Sequence, residues 1–566
     1  MRILLLTHAY NSLAQRIHCE LAARGHALSV EFDIADSVTE EALALYRPHL
    51  VVAPFLKRAI PASVWQAVPC LVVHPGIVGD RGPSALDWAL QEGEKTWGVT
   101  VLQAEAEMDA GPVWASAEFP LRRARKSSVY RHEVTEAAVA AVVLAVGRFA
   151  AGDFQAQRPG PGARGRQRPL MRQAERRIDW QVTSTAEVLA RIGAADGFPG
   201  VLDSLFGHPC RLYDAWPEAE LHGAAGTLLA RREGAVCRAT ADGAVWIGQV
   251  QREGDDACKL PATVAFPESA ALPEVPLDGW WKRSAPTWQD IAYEEAEGVG
   301  FLSFEFHNGA MGTAQCRRLG DAFRWAAGRP TRVIVLLGGE DFWSNGIHLN
   351  LIEAAESPAD ESWANINAMD DLAESILNCA SHLTIAALRG NAGAGGCFLA
   401  RAADQVWVRE GAMLNPHYKN MGNLYGSELW TYLLPPRVGE AGARALMQHR
   451  LPMTAREAVS LGFYDACLPG PAAAFRVDVA RRAAELAAAA DFTLRLAAKA
   501  EKRARDEAVK PLSAYRDEEL REMRRNFYGF DPSYHVARYH FVRKSPHSWT
   551  PRHLARHRDL GWETPP

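Results

Sequence analysis

At 566 residues and 62.0 kDa the chain is too long for one hydrophobic core, so about two to four domains are expected. Hydrophobic residues make up 48% and charged residues 23%, an ordinary globular balance, and a formal net charge of -5 argues against a nucleic-acid or membrane surface. The nine cysteines are scattered, with no C-x-x-C pair and no zinc-like Cys/His spacing. They point to reduced thiols in the cytosol and to no structural metal. The first residues, MRILLLTHAY, carry no cleavable leader pattern, and no stretch approaches the roughly 20 apolar residues of a membrane span. A soluble, cytoplasmic protein is expected.

In chain order, Arg2–Leu6, Leu50–Ala53 and Cys70–Val73 read as buried strands, and the segments around Leu13–Ala23 and Glu40–Leu45 as intervening helices. Strands alternating with helices imply a doubly wound parallel sheet. No G-x-G-x-x-G follows the first strand, which disfavours a dinucleotide site. Residues 155–170, rich in Gly, Pro and Arg, read as a flexible connection. Short β-like pieces at Cys210–Tyr213, Thr227–Ala230 and Ala244–Val250 suit a small barrel or sandwich. The proline-rich residues 261–287 read as a linker, a second α/β region begins near Gly300, and residues 473–545 read as mostly helical.

The first chemical constellation runs from Val72 to Trp114. His74 follows a buried strand, where side chains at the carboxyl end of a parallel sheet face the ligand crevice, and Gly82 belongs to a Gly/Pro loop that turns closely over a substrate. Asp109 lies on the loop after the strand that starts at Trp97–Val101. A histidine and an aspartate on adjacent loops suit proton handling in acyl transfer; the alternative is a core histidine and a turn aspartate.

The His74 loop, Gly98–Thr100, Met108–Gly111, Pro54–Trp65, Arg176–Trp180 and Phe198–Gly200 together resemble the 10-formyl-tetrahydrofolate-dependent formyltransferases over residues 1–215. The resemblance implies that His74 and Asp109 are catalytic in formyl transfer, with Pro54 and Leu56 on the folate side. The family places an asparagine two residues before the histidine, where this chain has Val72. Another oxyanion donor is then needed. Asn11 and Gln15 offer amides after the first strand, and Arg131 offers a guanidinium for a formyl oxygen or an acceptor phosphate. A surface arginine and a helix-start glutamine are the competing readings.

The second constellation comprises Phe301–Leu319, Val333–Glu353 and Arg389–Val408. Gly393, Gly395 and Gly396 leave no side chain between backbone and ligand, so amides at a helix start are free to face a carbonyl oxygen. These stretches resemble the crotonase (enoyl-CoA hydratase/isomerase) family over residues 297–490. The resemblance implies a CoA thioester held between the N–H groups of Ile347, after Gly346, and Gly395. The family's two water-activating glutamates are replaced by Phe398 and His417, so simple hydration is not expected. His417, Tyr418, Tyr425 and Glu428 are the acid/base candidates, each also readable as a packed aromatic or a solvated charge. Arg543 is expected to reach CoA phosphates.

The implied architecture is a multidomain α/β chain: a formyltransferase domain over 1–170, its barrel-like partner over 171–265, a linker over 266–295, and a crotonase-like domain with a helical tail over 296–566. The whole order resembles a family of hydrogenase-maturation proteins. That resemblance implies formyl transfer from 10-formyl-tetrahydrofolate to CoA, then decarbonylation of formyl-CoA to CO for [NiFe]-hydrogenase, with other maturation proteins as partners and a shared cavity between the domains. The rivals are an amine formyltransferase fused to an unrelated acyl-CoA enzyme, and a non-catalytic scaffold.

Overall fold

The computed structural model describes residues 1–254, 257–559 and 561. Arg2–Thr7, Leu50–Phe55 and Cys70–His74 are strands as expected, joined by a further strand, Ala27–Phe32, at one edge. These four run parallel; Thr96–Gln103 and Val113–Pro120 extend the sheet antiparallel at the other edge. The doubly wound region is therefore mixed: after Cys70–His74 the chain passes through the glycine loop and helix Ala85–Glu92 and comes back beside that strand in the opposite direction.

Helix Lys126–Ala151 departs from expectation. It is long and apolar enough, by length and composition, to cross a membrane, and half of its apolar window is buried. It packs on helix Ser12–Ala23 and on the two antiparallel strands, covering one face of the sheet as a core helix does. Its second turn, Tyr130–Val134, is π-helical, a local widening that redirects Arg131 and His132.

The barrel-like unit is an antiparallel sheet ordered Val201–Leu205, His208–Glu218, Ala244–Arg252, Ala235–Ala239, Leu228–Arg232. Within the stretch read as linker, Ile291–Ala296 is instead a strand, paired antiparallel with Val299–Phe304. That pair continues through Val333–Leu336, Leu383–Leu388, Gln405–Arg409 and Ala466–Leu468, all parallel. A second small sheet joins Phe342–Ser344, Asn391–Gly393, Met413–Asn415 and Met453–Thr454. It sets the glycine loops side by side. Four helices follow: Ala472–Ala488, Phe492–Val509, Leu512–Tyr528 and Ser533–Val542.

The chain then returns to its own first sheet. Val30 N donates to Leu554 O at 3.0 Å, and Phe32 N donates to Thr550 Oγ1 at 2.9 Å. The buried Glu31 carboxylate accepts from Arg558 Nε at 2.6 Å and lies 3.0 Å from His557 Nε2. Nothing in the sequence marks this strap, because its partners are more than 500 residues away.

Candidate active sites

His74 ends its strand fully inside the protein. Its Nδ1 lies 3.6 Å from Asp109 Oδ2, and its Nε2 lies 3.1 Å from Asp80 Oδ1. The structure thus brings together the two residues expected from spacing and adds Asp80, which the sequence reading missed. Asp80 is completely buried and has Arg168 Nε at 3.3 Å from its second oxygen. The Asp80 hydrogen bond on Nε2, with Asp109 beside Nδ1, fixes the imidazole plane and orients the ring for proton transfer. Asp109 has φ 56, a left-handed conformation, and its Oδ2 accepts from Gly82 N at 3.1 Å. The G-D-R-G run around Asp80 was read as a loop turning over a substrate; only the fold shows that its aspartate curls back to the histidine.

The two amide candidates sit elsewhere. Asn11 Oδ1 caps helix Ser12–Ala23 by accepting from Ala14 N, and its Nδ2 is 3.5 Å from Tyr130 Oη. Gln15 Nε2 donates to Tyr10 O at 3.0 Å, and Gln15 Oε1 accepts from Asn415 Nδ2 at 3.2 Å. Neither side chain is hydrogen-bonded to His74 or Asp109, so neither takes the place of the missing asparagine at Val72 in this conformation. Pro54 is buried in its strand, and Leu56 lines a cleft with Leu6, Asp33, Arg58 and Ile60.

Arg131 points away from His74 and into the junction of the two halves. Its guanidinium contacts Asp341 Oδ2 and Asn308 Oδ1, each at 3.2 Å, and covers the Phe342 ring at 4.5 Å. Here a cleft of about 280 Å³ is lined by Arg125, Arg131, Glu305, His307, Asp341 and Phe342. Burial raises the Glu305 carboxyl to about 7 against the Arg125 charge, and burial lowers the nearby Lys259 ammonium to about 8.

In the second half the two glycine loops touch. A Cβ on Gly346 would lie 3.2 Å from Gly395 N, and a Cβ on Gly396 would lie 2.1 Å from Ser344 O, so neither site accepts a side chain. Among the described residues neither Ile347 N nor Gly395 N donates to a protein acceptor. Two amides on adjoining loops, one at a helix start, are thus left without a protein acceptor and available to a ligand oxygen.

Glu428 closes this site. A Cβ on Gly395 would lie 2.0 Å from Glu428 Oε1, so the carboxyl rests directly against that glycine. Tyr418 Oη donates to the other oxygen, Oε2. Burial, then the Asp370 charge, raises Glu428 to about 8, and burial followed by Glu428 holds Tyr418 far above its ordinary range. Phe398, at a water-activating position of the family, stacks on Tyr418 with centroids 5.4 Å apart.

The remaining candidates divide differently. His417 makes no hydrogen bond to Tyr418 or Glu428; burial, then His449, His553 and Arg450, lowers it to about 4 and keeps it neutral. Tyr425 packs on Trp430 at 5.4 Å, and its backbone N donates to Asn526. Its ring is part of the helical packing, not of the Glu428 pair. Arg543 pairs with Glu353 and covers the Tyr539 ring at 4.2 Å. Gly393 is a strand residue opposite Asn415, beside the Asn345 side chain.

Known proteins share both halves. The formyl transferase model matches residues 1–146, the formyl transferase C-terminal domain model 170–265, and the enoyl-CoA hydratase/isomerase model 304–550. Hydrogenase maturation factor HoxX of Bradyrhizobium diazoefficiens is 56% identical over 560 residues, covering 99% of this chain and 97% of that protein. A methionyl-tRNA formyltransferase of Stenotrophomonas maltophilia is 28% identical over 247 residues, 43% of this chain and 80% of its own. The crystal structure of HypX from Aquifex aeolicus with tetrahydrofolic acid superposes with a TM-score of 0.97 at 47% identity, covering 100% of both chains. With formyltransferase and crotonase-like parts in one chain and full-length identity of this order, the chain belongs to the HoxX/HypX family of hydrogenase maturation factors.

Proposed function

We propose that the chain moves a formyl group from 10-formyl-tetrahydrofolate to CoA at His74 and releases it as CO at Glu428, for the active site of [NiFe]-hydrogenase. In the first step the CoA sulfur bonds to the formyl carbon, the N10–C bond breaks, and the thiol proton ends on N10. His74, held by Asp80 and Asp109, carries that proton. The products are tetrahydrofolate and formyl-CoA.

Formyl-CoA has no α-carbon, so the enolate chemistry of crotonases is closed to it. Besides hydrolysis to formate, the redox-neutral exit is loss of the formyl hydrogen as a proton with departure of the thiolate, giving CO and CoA. The Ile347 and Gly395 amides would hold the carbonyl oxygen, and Glu428, assisted by Tyr418, would take the proton and return it to sulfur. The single observation that carries this reading is the buried Tyr418–Glu428 pair against Gly395, with Phe398 where the family activates water. A site that excludes water favours CO over formate. CO and formate release from synthetic formyl-CoA, with wild type and Glu428→Gln, tests it: CO lost in the variant supports the reading, and formate as the sole product opposes it.

A further inference from the structure

Glu428 and Leu429 both have left-handed backbone, at φ 60 and φ 61, and neither is glycine. Two consecutive non-glycine residues in that region persist only where their surroundings over-determine them. Two buried carboxylates supply the constraint. Asp370, on helix Pro358–Leu377, accepts from Ser427 Oγ at 2.9 and 2.8 Å and from Glu428 N at 2.9 Å. Glu519, on helix Leu512–Tyr528, accepts from Leu429 N at 2.9 Å, Thr431 N at 2.7 Å and Thr431 Oγ1 at 2.6 Å. Both side chains are essentially inaccessible to solvent.

We propose that Asp370 and Glu519 are positioning residues that hold the strained Ser427–Thr431 turn, and so aim the Glu428 carboxyl at Gly395. This rests on the reading of Glu428 as the proton-moving group. Ordinary packing would need only apolar side chains here. Burying two acids to grip successive amides of one turn is costly unless the geometry of that turn matters. Their position also sets charge. Glu428 is faced by Tyr418 from its own loop, by Asp370 and by Glu519, while Asp370 has Arg516 Nε at 3.8 Å and Glu374 nearby. Asp370 thus disfavours an ionised Glu428, and Arg516 partly offsets Asp370.

The test uses the full-length protein and synthetic formyl-CoA, with tetrahydrofolate release followed in parallel. Asp370→Asn is expected to lower kcat for CO release about tenfold or more at unchanged KM. It is also expected to move the pH midpoint of that step down by about half a unit or more, since one negative neighbour is gone. Glu519→Gln should lower kcat to a lesser degree at unchanged KM, and tetrahydrofolate release should be unchanged in both. Where Asp370→Asn does not fold, Ser427→Ala removes only the two hydroxyl bonds to Asp370 and should still lower kcat at constant KM. Wild-type kcat and pH midpoint in these variants, alongside lost CO release in Glu428→Gln, overturn the positioning role alone. Equal losses in both half-reactions also overturn it, by reducing the two acids to general structure. Wild-type CO release by Glu428→Gln removes the underlying reading of the site as well.

Discussion

Asn415 Nδ2 donates to Gln15 Oε1 at 3.2 Å, joining residues 400 positions apart. Gln15 lies one turn into the helix after the first strand, and Asn415 ends the strand that leads to Tyr418. Asn415→Ala is therefore predicted to uncouple the halves. CO formation from 10-formyl-tetrahydrofolate should fall, while CO formation from added formyl-CoA is retained. Side-by-side assays with the two formyl sources measure this, and equal loss with both sources contradicts it.

His74 is held on both ring nitrogens by carboxylates, so its removal should be severe. His74→Ala is predicted to lower folate turnover about 10²- to 10⁴-fold, the range for loss of a general acid–base group. Asp80→Asn should lower kcat by a smaller factor with KM for the folate unchanged, because Asp80 lies on the far side of the ring from Asp109. Steady-state release of tetrahydrofolate checks both.

Glu428, raised by burial and Asp370 to about 8, sets two opposite pH responses. An ionised base makes CO release from formyl-CoA rise with pH, with its midpoint at about 8 and a plateau above that. Stability runs the other way. The folded protein keeps a proton on Glu428 that the unfolded chain has already lost, so this group weakens the fold as pH climbs from the ordinary 4.5 to about 8. Glu428→Gln should lose the activity and flatten that part of the stability profile, as read by denaturant titrations across the window.

Phe398 is fully buried between Tyr418 and Phe463. Truncation to Ala should cost about 3–5 kcal/mol of stability, the usual range for a buried aromatic. It should also raise the share of formate among the products, because the space next to Tyr418 then admits water. The ratio of formate to CO from formyl-CoA reports this; an unchanged ratio would show that Phe398 does not exclude water.

The strap that returns to the first sheet makes a separate prediction. Burial pushes Glu31 up, but hydrogen bonds from His557, Thr550 and Arg558 outweigh it and hold the carboxyl below its ordinary value. Its contribution is present above about pH 4.5 and is lost as pH falls through the lower, folded value. Glu31→Ala leaves His557 buried without its carboxylate and should cost about 3–5 kcal/mol, measured by thermal or denaturant unfolding near neutral pH.

Much of this was legible in the sequence where signals are local. The apolar runs at Leu50 and Cys70 became buried strands because a parallel sheet covered on both faces needs continuous hydrophobic stretches. His74 and Asp109 were found by their place after strands. Asp80 escaped notice because its partner is set by the curl of a glycine loop, not by spacing. Arg131 was named for a formyl oxygen or an acceptor phosphate; its protein neighbours Asp341 and Asn308 come from the second half, and no local pattern marks them. Tyr418 and Glu428 stood among four equal candidates; only the fold separates them from Tyr425 and His417. The carboxylates under Glu428 come from helices far away in the chain, and no local pattern marks them.

The most direct measurement is anaerobic incubation of the full-length protein with ¹³C-formyl-labelled 10-formyl-tetrahydrofolate, with and without CoA, trapping gas on reduced haemoglobin. The account predicts labelled CO that requires CoA and disappears in both His74→Ala and Glu428→Gln. Labelled formate as the only product, or CO that forms without CoA, would contradict it.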